Sequence, residues 1–318
     1  MRVLVTGGAG RLGATACRAL LQEGFSVRVL DLDSPRSRGN LRQAGPGLEV
    51  QWGDVTRPDV VRAALEGVDA VVHMAAVLPP AADLHPDLAW QVNVGGTRVL
   101  VDMIKDRGGR LPLVFTSSVA VFGPTPHATE PLSAERHTPA PQGGYATSKL
   151  EAERVIGEAG LDHVILRLSA AMYLSFGVSD LKRMFAIPLD NRVEFCHPDD
   201  AALAIVRAIG RFETVKGQTL IISGGPSQRM LYRDMVGAIL GVLGLPLPPA
   251  HKFATKPAYL DWYDTERSQE LLEFQHSTFA DYLRDYRREL ERRLSPPFVG
   301  FMRWFAGPVL GGIIVRCM

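Results

Sequence analysis

A tyrosine and a lysine four positions apart are the residues in this sequence best suited to proton transfer. The run Tyr145-Ala146-Thr147-Ser148-Lys149 has helical period, which puts the phenol and the ammonium on one helical face. A neighbouring ammonium favours the phenolate and lowers the phenol pKa from about 10 toward neutral pH. We therefore expect Tyr145 to act as general acid and base for an alcohol–carbonyl couple.

Two serines lie upstream, where Thr116-Ser117-Ser118 ends a predicted strand. Ligands bind at the carboxyl edge of open α/β sheets, so a hydroxyl there can hold a substrate oxygen against Tyr145. We assign this role to Ser118 and place Ser117 in the substrate pocket. The predicted catalytic residues are thus Ser118, Tyr145 and Lys149.

A glycine-rich loop, Gly7-Gly8-Ala9-Gly10-Arg11-Leu12-Gly13, follows the first predicted strand and opens the first predicted helix. Its glycines fit both G-x-G-x-x-G and G-x-x-G-x-x-G. Glycines permit positive φ and lack Cβ atoms, so the backbone can approach a pyrophosphate at a helix N-terminus. The loop predicts a dinucleotide site.

Asp31 ends the second predicted strand, about 20 residues on, where a carboxylate accepts hydrogen bonds from adenosine ribose hydroxyls. Because a 2′-phosphate would be repelled, NAD is favoured over NADP. Two alternatives stay open: Asp33 could take this role, or the nearby arginines Arg28, Arg36 and Arg38 could pair with a phosphate. Asp54 either lies near the adenine or caps a turn.

The elements that must position these residues alternate between strand and helix. Short β-branched runs predict strands at 2–6, 26–31, 48–52, 70–73, 113–116 and 163–168, and helical periods predict helices at 12–23, 59–65, 88–105 and 145–158. Strands that are apolar on both faces and separated by helices predict an α/β fold with a doubly wound, Rossmann-like parallel sheet.

We predict three regions along the chain. Residues 1–168 form the NAD-binding region with the catalytic residues, and residues 169–295 form a smaller substrate-binding region interleaved with the sheet, with helices at 199–209 and 232–243. Residues 296–318 are an apolar tail that glycines, Arg303 and Pro308 interrupt. This tail is too broken for a spanning helix, which needs roughly 20 apolar residues.

Composition narrows the class of protein. The 318 residues are 46% hydrophobic and 22% charged, as in soluble globular proteins. The formal net charge of +1 argues against nucleic-acid binding. Cys17, Cys196 and Cys317 show neither disulfide nor metal-ligand spacing, so we expect a reducing compartment and no metal. The N-terminus lacks the regions of a signal peptide, which predicts a cytoplasmic protein.

Six motifs in combination resemble the extended short-chain dehydrogenase/reductases, also called the NAD-dependent epimerase/dehydratase family. They are TGGAGRLG at 6–13, GDV at 53–55, VHMAA at 72–76, NVGGT at 93–97, SSVAVFG at 117–123 and YATSK at 145–149. The resemblance implies that Lys149 also binds the nicotinamide ribose and that Ser118 orients the substrate. The predicted cofactor contacts are Gly7, Gly10, Arg11, Leu12, Gly13, Asp31, Asp54, Val55, Met74, Ala75, Ala76, Asn93, Tyr145 and Lys149.

The resemblance also bears on residues around the site. We interpret His73 as a structural strand-end residue, whereas Asn93 either buttresses the site or satisfies helix backbone. His197-Pro198-Asp199-Asp200 resembles a family segment that begins a helix, for which Asp199 is the predicted N-cap. The predicted substrate pocket is mostly apolar, with Phe176 among its candidates, and comprises Val77, Leu78, Ser117, Met172, Tyr173 and His197.

The chain departs from the family at two places. Val119-Ala120 follow Ser118, where the 4,6-dehydratases carry Asp-Glu, and the Asn typical of sugar-nucleotide enzymes is missing after Leu166-Arg167. We therefore predict an oxidoreductase that transfers hydride between NAD and a small secondary alcohol or carbonyl, because an apolar pocket suits such a substrate. A nucleotide-sugar 4-epimerase with a 4-keto intermediate is the alternative, and a non-catalytic NAD sensor is the second.

Two expectations concern assembly. The helices at 88–105 and 145–158 correspond to those that pair across a two-fold axis in the resembled family, which predicts a homodimer, although their apolar residues could equally be core. Residues 281–294 form a basic amphipathic helix that leads into the tail. Docking of this end on its own or a neighbouring subunit is favoured over a peripheral membrane contact.

Overall fold

Seven parallel strands form the central sheet of the computed structural model, which describes residues 1–126, 128–173 and 184–293. The strands of the chain are β1 (Arg2–Thr6), β2 (Ser26–Asp31), β3 (Leu48–Trp52), β4 (Ala70–His73), β5 (Leu113–Ser118), β6 (His163–Leu168), β7 (Arg192–Glu194), β8 (Thr219–Ile222) and β9 (Arg229–Leu231). The central sheet has the order β3-β2-β1-β4-β5-β6-β8, and β7 pairs with β9 in a separate antiparallel sheet.

Helices cover both faces of the central sheet. They are α1 (Arg11–Gln22), α2 (Pro35–Ala44), α3 (Pro58–Ala64), α4 (Ala81–Leu84), α5 (Pro86–Ala89), α6 (Gly96–Asp106), α7 (Gly143–Gly157), α8 (Pro198–Gly210), α9 (Phe212–Val215), α10 (Tyr232–Val242), α11 (Glu266–Leu272) and α12 (Phe279–Arg293). A π-helical turn, Trp90–Gly95, joins α5 to α6. The strand order reverses between β1 and β4, which creates the crevice where doubly wound sheets bind ligands.

The predicted Rossmann-like fold is confirmed, and the six predicted strands are present. β5 continues to Ser118, beyond its predicted end at 116. Strand β8 was not predicted, because it has four residues and lies in a stretch without clear period. Helix α2 was not predicted either, because only its residues Leu41 and Ala44 are buried and its apolar pattern is weak.

The core joins the first and second halves of the chain. On one face of the sheet, Cys17 and Leu20 of α1 belong to the same apolar cluster as Ile205 of α8. On the other face, Leu100 of α6 and Ile156 of α7 pack in a second cluster. Elements that follow residue 168 therefore complete the layer that covers β1.

Helix α12 carries the aromatic side of the predicted amphipathic helix. Tyr282 and Tyr286 are buried with Tyr232 and Val236 of α10, so this apolar face packs on its own chain. The structure describes no helix long and apolar enough to cross a membrane within residues 1–126, 128–173 and 184–293. The tail at 296–318 lies outside the described residues, and the homodimer stays a prediction.

Candidate active site

The glycine loop turns sharply between β1 and α1 because its glycines lack side chains. Gly7 has φ +71°, and a Cβ built on it would lie 2.6 Å from the Ala75 nitrogen. A Cβ on Gly13 would collide with the Gly7 carbonyl oxygen and with Gly8. Gly10, the N-cap of α1, donates its N–H to the Gly7 carbonyl at 3.0 Å. The resulting backbone cradle at a helix N-terminus fits a dinucleotide pyrophosphate.

Asp31 lies beside this cradle. Its Oδ2 accepts the Ala9 N–H at 2.7 Å and its Oδ1 accepts the Leu32 N–H at 2.8 Å, which fixes the carboxylate against the glycine loop. Asp33, the alternative ribose ligand, instead binds Arg38 through two hydrogen bonds of 2.6 Å. This geometry supports Asp31 for the ribose, since Asp33 and Arg38 neutralise each other.

The other predicted contacts around the cradle differ in their surroundings. The Arg11 guanidinium lies 4.0 Å from the centroid of the Tyr173 ring, so these two predicted residues contact each other. Leu12 packs against the core. Asp54 Oδ1 accepts both the N–H and the hydroxyl of Thr56 at 2.9 Å, which is the turn-capping alternative. Val55 is buried against α6.

The segment after β4 forms the next part of the groove. Met74 donates its N–H to the Thr6 carbonyl at 3.0 Å, so residues 74–76 run alongside the end of β1. Asn93, in the π-helical turn, accepts the Val77 N–H at 2.7 Å and donates to the Val77 carbonyl at 3.2 Å. Its amide also donates to Ser148 at 2.9 Å, so Asn93 buttresses the groove against α7.

The three predicted catalytic residues come together where β5 ends beside α7. Ser118 lies close enough to Tyr145 for its hydroxyl to favour the phenolate. Ser118 also caps a 3₁₀ turn, since its Oγ accepts the Ala120 N–H at 3.2 Å. Lys149 is buried, and its ammonium lies 4.2 Å from the centroid of the Phe115 ring. A hydroxyl pair with a nearby ammonium suits proton exchange with an alcohol.

Burial controls the charges of this cluster. It raises the pKa of Tyr145 to about 12, an effect that the hydrogen bond from Ser118 opposes and the Asp83 charge reinforces. It lowers the pKa of Lys149 to about 7, although the charge of Glu153 favours the ammonium. The expected lowering of the Tyr145 pKa is therefore not met in the protein alone, because desolvation of the phenolate outweighs the effect of the Ser118 hydroxyl.

A buried ion pair lies beneath the catalytic residues. Glu153, one turn after Lys149, binds Arg167 of β6 through contacts of 3.0 and 2.7 Å and accepts the Ser117 hydroxyl at 2.5 Å. Ser117 thus differs from its predicted place in the substrate pocket, because alternate residues of a strand face opposite sides. Glu153 and Arg167 were not predicted as site residues, although a charged residue inside an apolar strand indicates a buried partner.

The remaining pocket residues lie on separate elements. Val77 is partly buried and Leu78 is exposed, whereas Met172 donates its N–H to the Cys196 carbonyl at 3.2 Å. His197, not Asp199, is the N-cap of α8: its Nδ1 accepts the Asp199 N–H at 3.3 Å. Asp199 stands in the first turn because Pro198 occupies the first helical position. Phe176 lies outside the described residues.

Known proteins of one family are similar in sequence to this chain. A sequence model of the NAD dependent epimerase/dehydratase family matches residues 3–223. The chain is 30% identical over 269 residues to 2-alkyl-3-oxoalkanoate reductase of Stenotrophomonas maltophilia, covering 77% of each protein. It is 32% identical over 167 residues to UDP-glucose 4-epimerase of Erwinia amylovora, covering 49% of this chain and 48% of that protein.

A solved structure supports the fold. The chain superposes with a TM-score of 0.79 on a short-chain dehydrogenase/reductase superfamily protein from Agrobacterium tumefaciens with bound NAD, at 23% identity and with 93% and 99% of the two chains covered. The chain spans about half the length of other curated relatives that it matches. Taken with the family match, these findings show that the chain belongs to the NAD-dependent epimerase/dehydratase family, whose cofactor is NAD.

Proposed function

We propose that this chain is an oxidoreductase that transfers hydride between NAD and a small, weakly polar secondary alcohol or carbonyl. The observation that carries the proposal is the juxtaposition of the Ser118 and Tyr145 hydroxyls at the carboxyl edge of the sheet, with Lys149 one turn further along α7. Through Ser148, Asn93 links the turn of α7 that carries Tyr145 to the groove segment at Val77. The resemblance to a 2-alkyl-3-oxoalkanoate reductase supports the same class of reaction.

In this mechanism Ser118 holds the substrate oxygen against the Tyr145 hydroxyl. During oxidation the Tyr145 phenolate takes the proton of the alcohol, and during reduction the phenol returns it. NAD, when bound in the cradle of Gly7, Gly10 and Gly13, supplies the hydride acceptor and a positive ring charge. A positive charge beside the phenol opposes the effect of burial and brings the pKa of Tyr145 down toward working pH.

The charges of the substrate region support a weakly polar substrate. Arg192 contacts Asp261 at 2.8 Å and lies 4.4 Å from the centroid of the Trp262 ring. Arg229 contacts buried Glu194 at 2.9 Å. A diphosphate would have to compete with these carboxylates for both guanidinium groups, and separating a buried ion pair is costly.

A nucleotide-sugar 4-epimerase is the second candidate, favoured by the resemblance to UDP-glucose 4-epimerase. The same tyrosine would remove and return the sugar hydroxyl proton. An NAD sensor without turnover is less consistent with the chain, because it has no use for the contact between Ser118 and Tyr145. Thermal-shift measurements of the NAD-bound protein with UDP, dTDP and GDP sugars, beside secondary alcohols and hydroxy acids, separate the two enzymes.

Tyr145→Phe tests the proposed role of the phenol. We expect kcat to fall at least about 100-fold, the contribution typical of general acid–base catalysis, while NAD affinity stays within a few-fold. Turnover is measured by NADH absorbance and affinity by calorimetry. Tyr259→Phe, at an exposed tyrosine, is the matched control and should behave as wild type. Near-normal turnover of Tyr145→Phe would remove the phenol from its assigned role.

A further inference from the structure

A hydrogen-bonded network of buried polar groups lies behind the cofactor groove. Thr6, His73 and Thr97 are each 0% exposed, although none of them belongs to the proposed catalytic group. Thr6 Oγ1 lies 2.6 Å from His73 Nδ1, and His73 Nε2 lies 2.9 Å from Thr97 Oγ1. The imidazole therefore bridges the end of β1 and the start of α6.

The hydrogen atoms in this network can be placed by counting donors. Thr97 donates its single hydroxyl proton to the Asn93 carbonyl at 2.6 Å, so it can only accept from His73 Nε2. Burial, with the nearby charge of Lys149, lowers the pKa of His73 to about 3, so the ring is neutral. Nδ1 then carries no proton and accepts from the Thr6 hydroxyl. All the hydrogen bonds consequently point in one direction, from Thr6 to Asn93.

Both ends of this hydrogen-bonded network hold parts of the proposed site. At the first end, Thr6 Oγ1 lies 3.3 Å from the N–H groups of Met74 and Ala75, which are predicted cofactor contacts. At the other end is Asn93, whose side chain clamps Val77 and donates to Ser148. Ser148 in turn donates to the Tyr145 carbonyl at 2.8 Å. The network thus extends from the groove segment to helix α7.

The position of His73 explains why the ring must stay neutral. Its centroid lies 5.6 Å from that of Phe115, and Lys149 lies over the same phenyl ring at 4.2 Å. Lys149 is the charged group that acts on His73, and the contacts from β1, β5 and α6 are the uncharged Thr6, Phe115 and Thr97. A second cation here would repel the ammonium of the proposed catalytic lysine.

We propose that His73 is a positioning residue, which through Thr6 and Thr97 holds the groove segment 74–77 and the turn carrying Asn93 in register with helix α7, so that the nicotinamide and the Tyr145 phenol face each other. The effect on turnover rests on the proposed function. The effect on NAD binding requires only that the chain binds its family's cofactor. The two parts are therefore tested separately.

Thr97→Val and Thr97→Ser form a matched pair for the test. Valine keeps the shape of threonine but removes the hydroxyl between His73 and Asn93, whereas serine keeps the hydroxyl. Losing a buried hydrogen-bond partner corresponds to about a ten-fold change in an equilibrium. We expect Thr97→Val to bind NAD about ten-fold more weakly by calorimetry, at a temperature where it is fully folded, and Thr97→Ser to bind within two-fold of wild type, roughly the scatter of such a comparison.

Nitrogen-15 NMR of the histidine side chains tests the direction of hydrogen-bond donation in the network without any substitution. In the wild type we expect one imidazole, assigned through its contacts with the Thr6 and Thr97 methyl groups, to remain the neutral Nε2–H tautomer from pH 6 to pH 8. A ring that gains a proton in this range, or that carries its proton on Nδ1, would overturn the proposal. If Thr97→Val does not fold, Thr6→Val and Thr6→Ser repeat the comparison from the other end.

Turnover measurements distinguish a positioning role of His73 from a role in stability alone. If His73 only stabilises the fold, Thr97→Val lowers the melting temperature but leaves NAD affinity and kcat of the folded protein unchanged, and the proposal fails. If it positions the site, kcat at saturating NAD also falls while KM for the alcohol or carbonyl changes little, and Thr97→Ser restores it. Normal NAD binding without turnover in the wild type would contradict the proposed oxidoreductase but not the role of His73 in binding.

Discussion

Lys149 shows how burial determines what a single charge can do in this site. The spacing from Tyr145 placed both residues on one helical face, and the structure has them there on α7. Spacing alone could not show that the ammonium is almost completely removed from water, which lowers its pKa to about 7. The lysine is therefore near its titration point at neutral pH, and small changes in its surroundings alter its charge.

This shift predicts how stability depends on pH. The pKa of Lys149 is about 7 in the folded protein and 10.5 in its ordinary state, so between these values the unfolded chain binds more protons. The free energy of unfolding should therefore rise with pH above about 7, by up to about 1.4 kcal/mol per pH unit, relative to Lys149→Met. Below pH 7 the lysine is charged in both the folded and the unfolded state. The free energies of unfolding of the wild type and of Lys149→Met should then change with pH in parallel.

Urea unfolding from pH 6 to pH 9.5 measures this difference directly. Comparing the two proteins cancels the titration of groups that both share. A difference that stays constant over the whole range would show that the folded protein keeps Lys149 protonated, with Glu153 outweighing desolvation.

The sequence could not show which side chains of the site contact each other. Ser117 and Ser118 are neighbours in β5, and alternation predicts that they face opposite sides without saying which side holds the substrate. In the structure Ser117 contacts Glu153, whereas Ser118 contacts Tyr145. The pairing of Glu153 with Arg167 likewise depends on how α7 lies against β6, which no local pattern contains.

At the scale of elements, the glycine loop sets the position of α1 against β1 and β4. Its pattern was recognisable because a side chain at Gly7 or Gly13 would collide with neighbouring backbone. The π-helical turn at Trp90–Gly95 was not recognisable, because the apolar period runs through it and predicts one continuous helix. That wider turn carries Asn93, and π-turns are frequent at functional sites.

Gly13→Ala tests the steric demand of the glycine loop. The added methyl group would collide with the Gly7 carbonyl and with Gly8, so the loop must shift. We expect NAD affinity to fall at least about ten-fold, since the displaced N–H groups no longer meet the pyrophosphate. Gly39→Ala in α2 is the control: a Cβ there has nothing within 4 Å, and alanine should stabilise the helix by about 0.5–1 kcal/mol. Unchanged NAD binding in Gly13→Ala would contradict the cradle.

At the scale of the whole molecule, the apolar core includes residues from both sides of the boundary predicted at residue 168. Ile205 and Phe274, which come late in the chain, share a cluster with Val3 and Leu20. The sequence indicated an interleaved arrangement but could not show which late segments would join the sheet. β8 was not predicted because its three apolar residues after Thr219, in an irregular stretch, resemble a loop or a helix end as much as a strand.

Ile205→Ala tests whether the described chain unfolds as one unit. The residue is 0% exposed and packs on α1, so its truncation should cost about 2–5 kcal/mol of unfolding free energy. Calorimetry and tryptophan fluorescence should then shift together in a single transition. Leu84→Ala, at a 71% exposed residue, should change stability by less than about 0.5 kcal/mol. Two separate transitions, only one of them moved by Ile205→Ala, would show two independent folding units.

The pairing of β6 with β8 restricts how this protein can be re-engineered. The Ser169 N–H donates to the Ile222 carbonyl at 2.9 Å, and this ladder covers the last hydrogen-bonding groups of β6. A fragment that stopped at residue 168 would expose them as an open edge, which invites aggregation. Chimeras that exchange specificity between relatives should therefore cross over within loops on either side of β7 and β9 and carry Thr219–Ile222 with the parent sheet.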